Sequence, residues 1–271
     1  MAARVAVLGL GAMGSRIAQR LATAGFDVVT WSRSSTTPLA RATSIAEAVT
    51  GADVVLSMVR DDEASTKVWG EAFLHARPGA LVIECSTVSP ARAEAWGAQA
   101  HQRGLLVLEA PVVGSRPQAD AGTLVVLAGG TGEALERARP LLSTFAGAVH
   151  PVGRIGDGAR CKLLVNGLFA TQVALLGELF TGAARAGLDP ARLLDVLGSL
   201  PVLSAAAKAA ATGQLAQRFE PQFPIDLVAK DLRYATDAFT SEILTAVRRR
   251  FEAASAAGFG ALNLTAVARL P

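Results

Sequence analysis

The chain of 271 residues is poor in cysteine, aromatic residues, histidine and charge. Its two cysteines, Cys85 and Cys161, lie far apart with no CxxC or Cys/His ligand spacing. That excludes a disulfide framework and a zinc ribbon, leads us to expect no metal site, and fits a reducing, cytoplasmic setting. Aromatic residues make up 5%, with Tyr234 the one tyrosine, so the interleaving of aromatic and basic residues found in nucleic-acid binders is missing. Charged residues make up 18% against 51% hydrophobic, the reverse of a disordered composition. Basic residues outnumber acidic ones 26 to 23, and a surplus of +3 implies neither a nucleic-acid nor a membrane partner. The one basic run, Arg248-Arg249-Arg250, sits in an amphipathic helix and reads as a solvated face. His75, His101 and His150 are isolated, with no partners in triad order, and read as structural or surface residues.

A membrane-spanning run is lacking too. Leu163 to Gly177 carries no charge, but Asn166, Thr171 and Gln172 interrupt it and Lys162 and Glu178 bound it, as in a buried helix. Met1-Ala2-Ala3-Arg4 leads straight into an apolar segment that stops at a Gly-rich turn, so no signal peptide is expected.

What is present is alternation. Val5–Leu8, Val28–Trp31, Val54–Met58, Leu81–Glu84 and Leu105–Leu108 are short apolar runs separated by helical patterns, the form of repeated βαβ units. Thr123–Ala128 and Ala148–Val152 read as two more strands around a helix over Glu133–Thr144. From Ala159 onward the period is helical: Ala159–Gly187, Pro190–Leu197, Leu203–Ala211, Ile225–Ala238 and Ile243–Ala257. The expected class is α/β, an N-terminal Rossmann-type doubly wound and mainly parallel sheet joined by a long helix to an all-α C-terminal domain. The expected boundary divides a dinucleotide-binding domain, 1–156, from a helical substrate and dimerisation domain, 157–271.

Gly9-Leu10-Gly11-Ala12-Met13-Gly14 matches G-x-G-x-x-G between the first strand and a helix, the context that the dinucleotide fingerprint requires. Its glycines permit the tight turn, the approach of a pyrophosphate and close helix–strand packing. The end of the second strand, where an acid would bind the adenosine ribose of NAD, reads Ser32-Arg33-Ser34. Asp27 lies at the other end of that strand. A guanidinium among hydroxyls suits a 2′-phosphate, so NADP is expected over NAD.

Further motifs occur in order along the chain. Gly9-Leu10-Gly11-Ala12-Met13-Gly14, Ser86-Thr87-Val88-Ser89-Pro90, Glu109-Ala110-Pro111-Val112-Val113-Gly114-Ser115 with Gly122-Thr123-Leu124, Gly156 to Asn166, and Lys230-Asp231-Leu232 together resemble the β-hydroxyacid dehydrogenases. Members of that family include 3-hydroxyisobutyrate dehydrogenases and tartronate, glyoxylate and succinic semialdehyde reductases. The resemblance covers nearly the whole chain. It implies a helical lobe that pairs into a homodimer, and hydride transfer between a nicotinamide cofactor and a small hydroxyacid or the matching aldehyde. It also implies that Lys162 is the acid/base, that Asn166 holds substrate or nicotinamide, that Val113, Gly114 and Ser115 border the substrate, and that Lys230 lies against the cofactor. Ser86 and Thr87 follow a strand C-terminus, the edge where open α/β sheets bind ligands, and are expected to contact the nicotinamide ribose of the cofactor or the substrate.

The physics of these positions agrees with the roles. Lys162 and Asn166 are four residues apart, so they project from one helix face. An ammonium there can stabilise and protonate an oxygen that gains charge as hydride arrives. Departures from the family pattern bear on substrate. Val113 stands where the family has serine and Ser115 where it has glycine, which removes a hydroxyl beside the substrate carboxylate. Ser115 and Arg116 are candidates to replace it. Glu109 for the family's Asp reads as a minor, charge-preserving change. Two alternatives stay open: an imine reductase, which shares the architecture but usually carries Asp or Tyr in place of Lys162, and a catalytically inactive dinucleotide-binding protein.

Overall fold

The computed structural model describes residues 2–34 and 37–270. The chain forms two compact units, Met1–Lys162 and Leu163–Pro271.

The first unit carries strands β1 (Arg4–Leu8), β2 (Asp27–Trp31), β3 (Ala40–Arg41), β4 (Val54–Ser57), β5 (Leu81–Glu84), β6 (Leu106–Glu109), β7 (Val112–Val113), β8 (Leu124–Gly130) and β9 (Ala146–Gly153). Between them run α1 (Gly14–Thr23), α2 (Ile45–Val49), α3 (Asp62–His75), α4 (Pro90–His101), α5 (Arg116–Ala121) and α6 (Gly132–Leu142). The strands form one sheet in the order β3-β2-β1-β4-β5-β6-β8-β7, with β9 paired to β8. From β3 to β6 every pairing is parallel, whereas β8 runs antiparallel to β6 and β7 and parallel to β9.

Side-chain alternation along each strand makes two cores. Val5, Val7, Leu56 and Ile83 pack on one face with Ile17 and Leu21 of α1 and Leu141 and Leu142 of α6. Ala6, Leu8, Val55 and Val82 pack on the other with Ala48 of α2, Trp69 of α3 and Trp96 of α4. The two indole rings lie 5.4 Å apart by centroid. Burial on both faces explains the continuous apolar runs: a strand covered on one face would alternate polar and apolar residues. Helix α1 ends where expected, with Gly25 at φ +90° and the Phe26 N–H reaching back to the Leu21 carbonyl.

Helix α7 (Asp157–Arg185) starts in the first unit and continues into the second, followed by α8 (Pro190–Ser199), α9 (Ala205–Leu215), α10 (Ile225–Ala238) and α11 (Glu242–Ala254). A π-helical turn, Ser255–Phe259, and a 3-10 turn, Leu264–Arg269, close the chain. Ala170 and Val173 of α7 pack with Val228 and Leu232 of α10 and Phe251 of α11. The basic run on α11 is held locally: Arg248 donates to Thr236, and Arg250 donates to the Leu270 carbonyl. By length and composition α7 could cross a membrane, but half of its most apolar window is buried against protein.

Candidate functional site

The turn between β1 and α1 shows what each glycine is for. Gly9 has φ +102°, and a Cβ there would strike the Met58 carbonyl. A Cβ on Gly14 would strike the Gly9 carbonyl, so α1 could not approach the turn so closely. Around Gly11 there is open space. The residue buried against protein is needed for packing, and the one facing open space leaves room for a ligand. The N-terminus of α1 at Met13 has no side-chain cap, so its first N–H groups can serve an anion, and the Gly9 N–H bonds the Trp31 carbonyl to tie the turn to β2. These residues fit a dinucleotide pyrophosphate.

At the end of β2, Ser32 is half-buried and Arg33 and Ser34 are exposed; Ser35 and Thr36 lie outside the described residues. Asp27 opens β2 at the far end, 3.9 Å from Arg4. The structure adds a second cation that sequence reading missed: Arg41 of β3 donates to the Ser32 carbonyl at 3.1 Å. No local signal could have found it, because a two-residue strand has no periodicity.

At the C-terminal ends of β5 and β6, where open α/β sheets bind ligands, stand two buried carboxylates in register, Glu84 and Glu109. Glu84 accepts from the Ser65 hydroxyl and the Trp69 indole, both at 2.8 Å, and from the Ser86 N–H at 3.0 Å. The Ser86 hydroxyl accepts from the Val59 N–H at 2.7 Å, so Ser86 braces two loops, while Thr87 beside it is half-buried. Glu109 accepts from the N–H groups of Gly156, Gly158 and Ala159 at 2.7, 3.2 and 2.6 Å. Burial pushes its carboxyl up to about 7, against the opposing pull of those three donors. This carboxylate caps the start of α7.

Val113 ends β7, half-buried, paired with Val125. Gly114 follows at φ +124°, and the Ser115 N–H donates to the Gln118 side chain at 2.9 Å at the start of α5. The three substrate-side candidates thus occupy one short, well-held loop.

On α7, Lys162 and Asn166 are buried, 8% and 7% exposed, one turn apart. In the second unit the Asn166 amide donates to Asp231 Oδ2 at 2.6 Å, and the Lys230 ammonium pairs with Asp231 Oδ1 at 2.7 Å while lying 4.8 Å from the centre of the Tyr234 ring. Lys230 and Asp231 are buried, not a surface pair. Asp231 is the other residue that sequence reading passed over: one carboxylate orients both Asn166 and Lys230. Its place in the Lys-Asp-Leu motif was the available signal. His75, His101 and His150 are all exposed.

A family model described as the NAD binding domain of 6-phosphogluconate dehydrogenase matches residues 4–153, and one described as the NAD-binding domain of NADP-dependent 3-hydroxyisobutyrate dehydrogenase matches residues 156–270. The chain belongs to the β-hydroxyacid dehydrogenase family. An NAD-dependent L-serine dehydrogenase of Pseudomonas aeruginosa is 34% identical over 87% of this chain and 85% of its own. A solved 3-hydroxyisobutyrate dehydrogenase of Mycobacterium tuberculosis with L-serine superposes at a TM-score of 0.90, with 31% identity and 99% of each chain covered. An imine reductase from a Pseudomonas species shares the fold at a TM-score of 0.62 and 21% identity, with 99% of each chain covered. As a β-hydroxyacid dehydrogenase by family, the protein is an NAD(P)-dependent oxidoreductase.

Proposed function

We propose that the protein transfers hydride between NADP and a small β-hydroxyacid or its semialdehyde, with Lys162 as general acid/base. The observation that carries the reading is the buried pair Lys162 and Asn166, one turn apart on α7, with the amide oriented by Asp231. The bound nicotinamide supplies the two-electron chemistry as hydride donor or acceptor. In the reductive direction the Lys162 ammonium donates its proton to the substrate oxygen as charge develops there; in the oxidative direction its neutral amine takes the hydroxyl proton. Asn166, Val113, Gly114 and Ser115 border the substrate. Gly9, Gly11, Ala12, Met13 and Gly14 hold the pyrophosphate, and Thr87 and Lys230 lie against the cofactor.

The preference for NADP rests on Ser32, Arg33 and Ser34, with no carboxylate at that strand end, and Arg41 beside them adds a second positive charge. Residues 1–156 act as the dinucleotide-binding domain and 157–271 as the substrate and dimerisation domain. Leu164, Leu168, Leu175 and Leu179 form an exposed stripe along α7 that supports a homodimer, and light scattering at micromolar concentration is expected to give twice the chain mass. Two free cysteines fit the cytoplasm.

One observation favours the imine reductase as a second reading: Val113 offers an apolar surface where a hydroxyl would bind a carboxylate. Lys162 favours the hydroxyacid. The test is NADPH consumption, followed by absorbance, over small semialdehydes, glyoxylate and one cyclic imine. Turnover of aldehydes alone supports the proposal; turnover of the imine alone overturns it.

A further inference from the structure

We propose that Glu109 is a positioning residue for Lys162, holding the first turn of α7 at the height and rotation from which the lysine reaches the substrate oxygen. The inference rests on the assignment of Lys162 as acid/base. Its basis is a built socket within the first unit. A helix begins with N–H groups that have no partner in the helix itself, and such groups are usually met by a neighbouring Ser, Thr, Asp or Asn. Here the acceptor comes from far away in sequence: Glu109, at the end of β6, bonds three N–H groups at the start of α7 with its two oxygens.

The surroundings leave that carboxylate little freedom. A Cβ on Gly158 would lie 2.9 Å from the Glu109 carboxyl carbon and from the Leu127 carbonyl. A Cβ on Gly129 would lie 2.8 Å from a Glu109 oxygen and 2.7 Å from the Arg154 carbonyl. Gly156 adopts φ +98°, which turns the chain into the helix. Gly129 and Gly158 thus clear the space that the carboxylate fills, and Glu109 is 1% exposed.

The geometry connects this socket to the lysine. Gly158 and Lys162 are four residues apart, so the gripped N–H lies one turn below the lysine on the same helix face. A displacement of about 1 Å in a catalytic group costs up to about a hundredfold in rate. The link runs directly from strand end to helix start through three hydrogen bonds, and it orients the lysine without touching substrate.

The test uses the full chain with Glu109→Gln, Glu109→Asp and Gly158→Ala, and Lys162→Ala as a reference. Glutamine keeps the shape but turns an amino group toward N–H donors that need an acceptor. Its kcat is expected to fall on the order of tenfold, with KM and the NADPH Kd within about twofold and faster amide exchange in the first turn of α7. Asp, which keeps the charge, is expected to recover part of the lost kcat. Gly158→Ala disturbs the same contact from the helix side and is expected to show the same kcat-specific loss, which keeps the test decisive if Glu109→Gln does not fold. A kcat within about twofold of wild type in both Glu109→Gln and Gly158→Ala overturns the proposal, as does a loss confined to KM or an Asp variant no better than Gln. If the wild type turned over no aldehyde or hydroxyacid, the functional reading would fail on its own; unchanged amide exchange in Glu109→Gln would still overturn the anchoring.

Discussion

Raising the pH from about 4.5 to 7 is expected to destabilise the first unit through Glu109, and the sign follows from its surroundings. The folded carboxyl titrates at about 7 because burial disfavours its charged form, with the Glu84 carboxylate beside it adding to the rise, against 4.5 for an unperturbed group. Below pH 4.5 the folded and unfolded chains both hold the proton, and no pH dependence arises from this group. Between 4.5 and 7 the unfolded chain releases the proton while the folded chain keeps it, so stability falls as pH rises, and above 7 the loss is complete. At about 1.4 kcal/mol per pH unit, the window amounts to about 3 kcal/mol, a large share of the roughly 5–15 kcal/mol that holds a typical domain together. The assay is urea unfolding by tryptophan fluorescence at several pH values from 4.5 to 7.5. Trp31, Trp69 and Trp96 all lie in the first unit, so the signal reports that unit. Glu109→Gln cannot titrate at this position, so the stability difference between wild type and variant is expected to shift by about 3 kcal/mol against the wild type across the window. A difference that stays flat across this range would show that burial does not raise the Glu109 carboxyl.

Other outcomes follow from the same geometry. Arg33→Ala is expected to raise the NADPH Kd on the order of 10- to 100-fold, since hydrogen bonds to charged groups contribute about 1.5–3 kcal/mol, and to leave the NADH Kd within about twofold; equal losses, read by fluorescence titration, contradict the 2′-phosphate assignment. Gly11→Ala is expected to keep its Tm, because a Cβ there meets open space, and to lose at least about tenfold in NADPH affinity; unchanged affinity contradicts the role of the turn. Asp231→Ala removes the carboxylate that orients Asn166 and Lys230, so thermal unfolding is expected to show a loss of about 3–5 kcal/mol, and a loss below about 1 kcal/mol contradicts its place as the hub.

The parts of the fold that were legible are those whose burial leaves a mark on neighbouring residues. Val5–Leu8 and Leu81–Glu84 stand out because strands covered on both faces are apolar throughout, and α10 begins at Ile225 and ends at Ala238 as its period predicts. Other features leave no such mark. Apolar runs carry no record of strand direction, so the antiparallel course of β8 against β6 was not visible. The two-residue strands β3 and β7 and the short helices α2 and α5 are too brief to show a period. Helix α11 stops at Ala254, three residues earlier than its pattern suggests, because the chain passes into a π-helical turn in which Gly258 adopts φ +86°.

The same distinction applies to the site. The glycine turn, Arg33, Lys162 and Asn166 can be read locally because each sits in a motif at defined spacing. Glu109 and Arg41 act on partners 47 or more and nine residues away, and neither spacing is one that a sequence pattern records. Asp231 stands in the Lys-Asp-Leu motif, but its partner Asn166 is 65 residues away, so their contact forms only once α7 and α10 pack together.

On the proposed function, Lys162 moves the proton. The most direct measurement is the single-turnover rate of hydride transfer from NADPH to the best aldehyde in the panel, compared between wild type and Lys162→Ala at saturating cofactor. The variant is expected to bind NADPH as wild type does and to lose on the order of 10²–10⁴ in rate. A variant that retains a rate within about tenfold of wild type would contradict it.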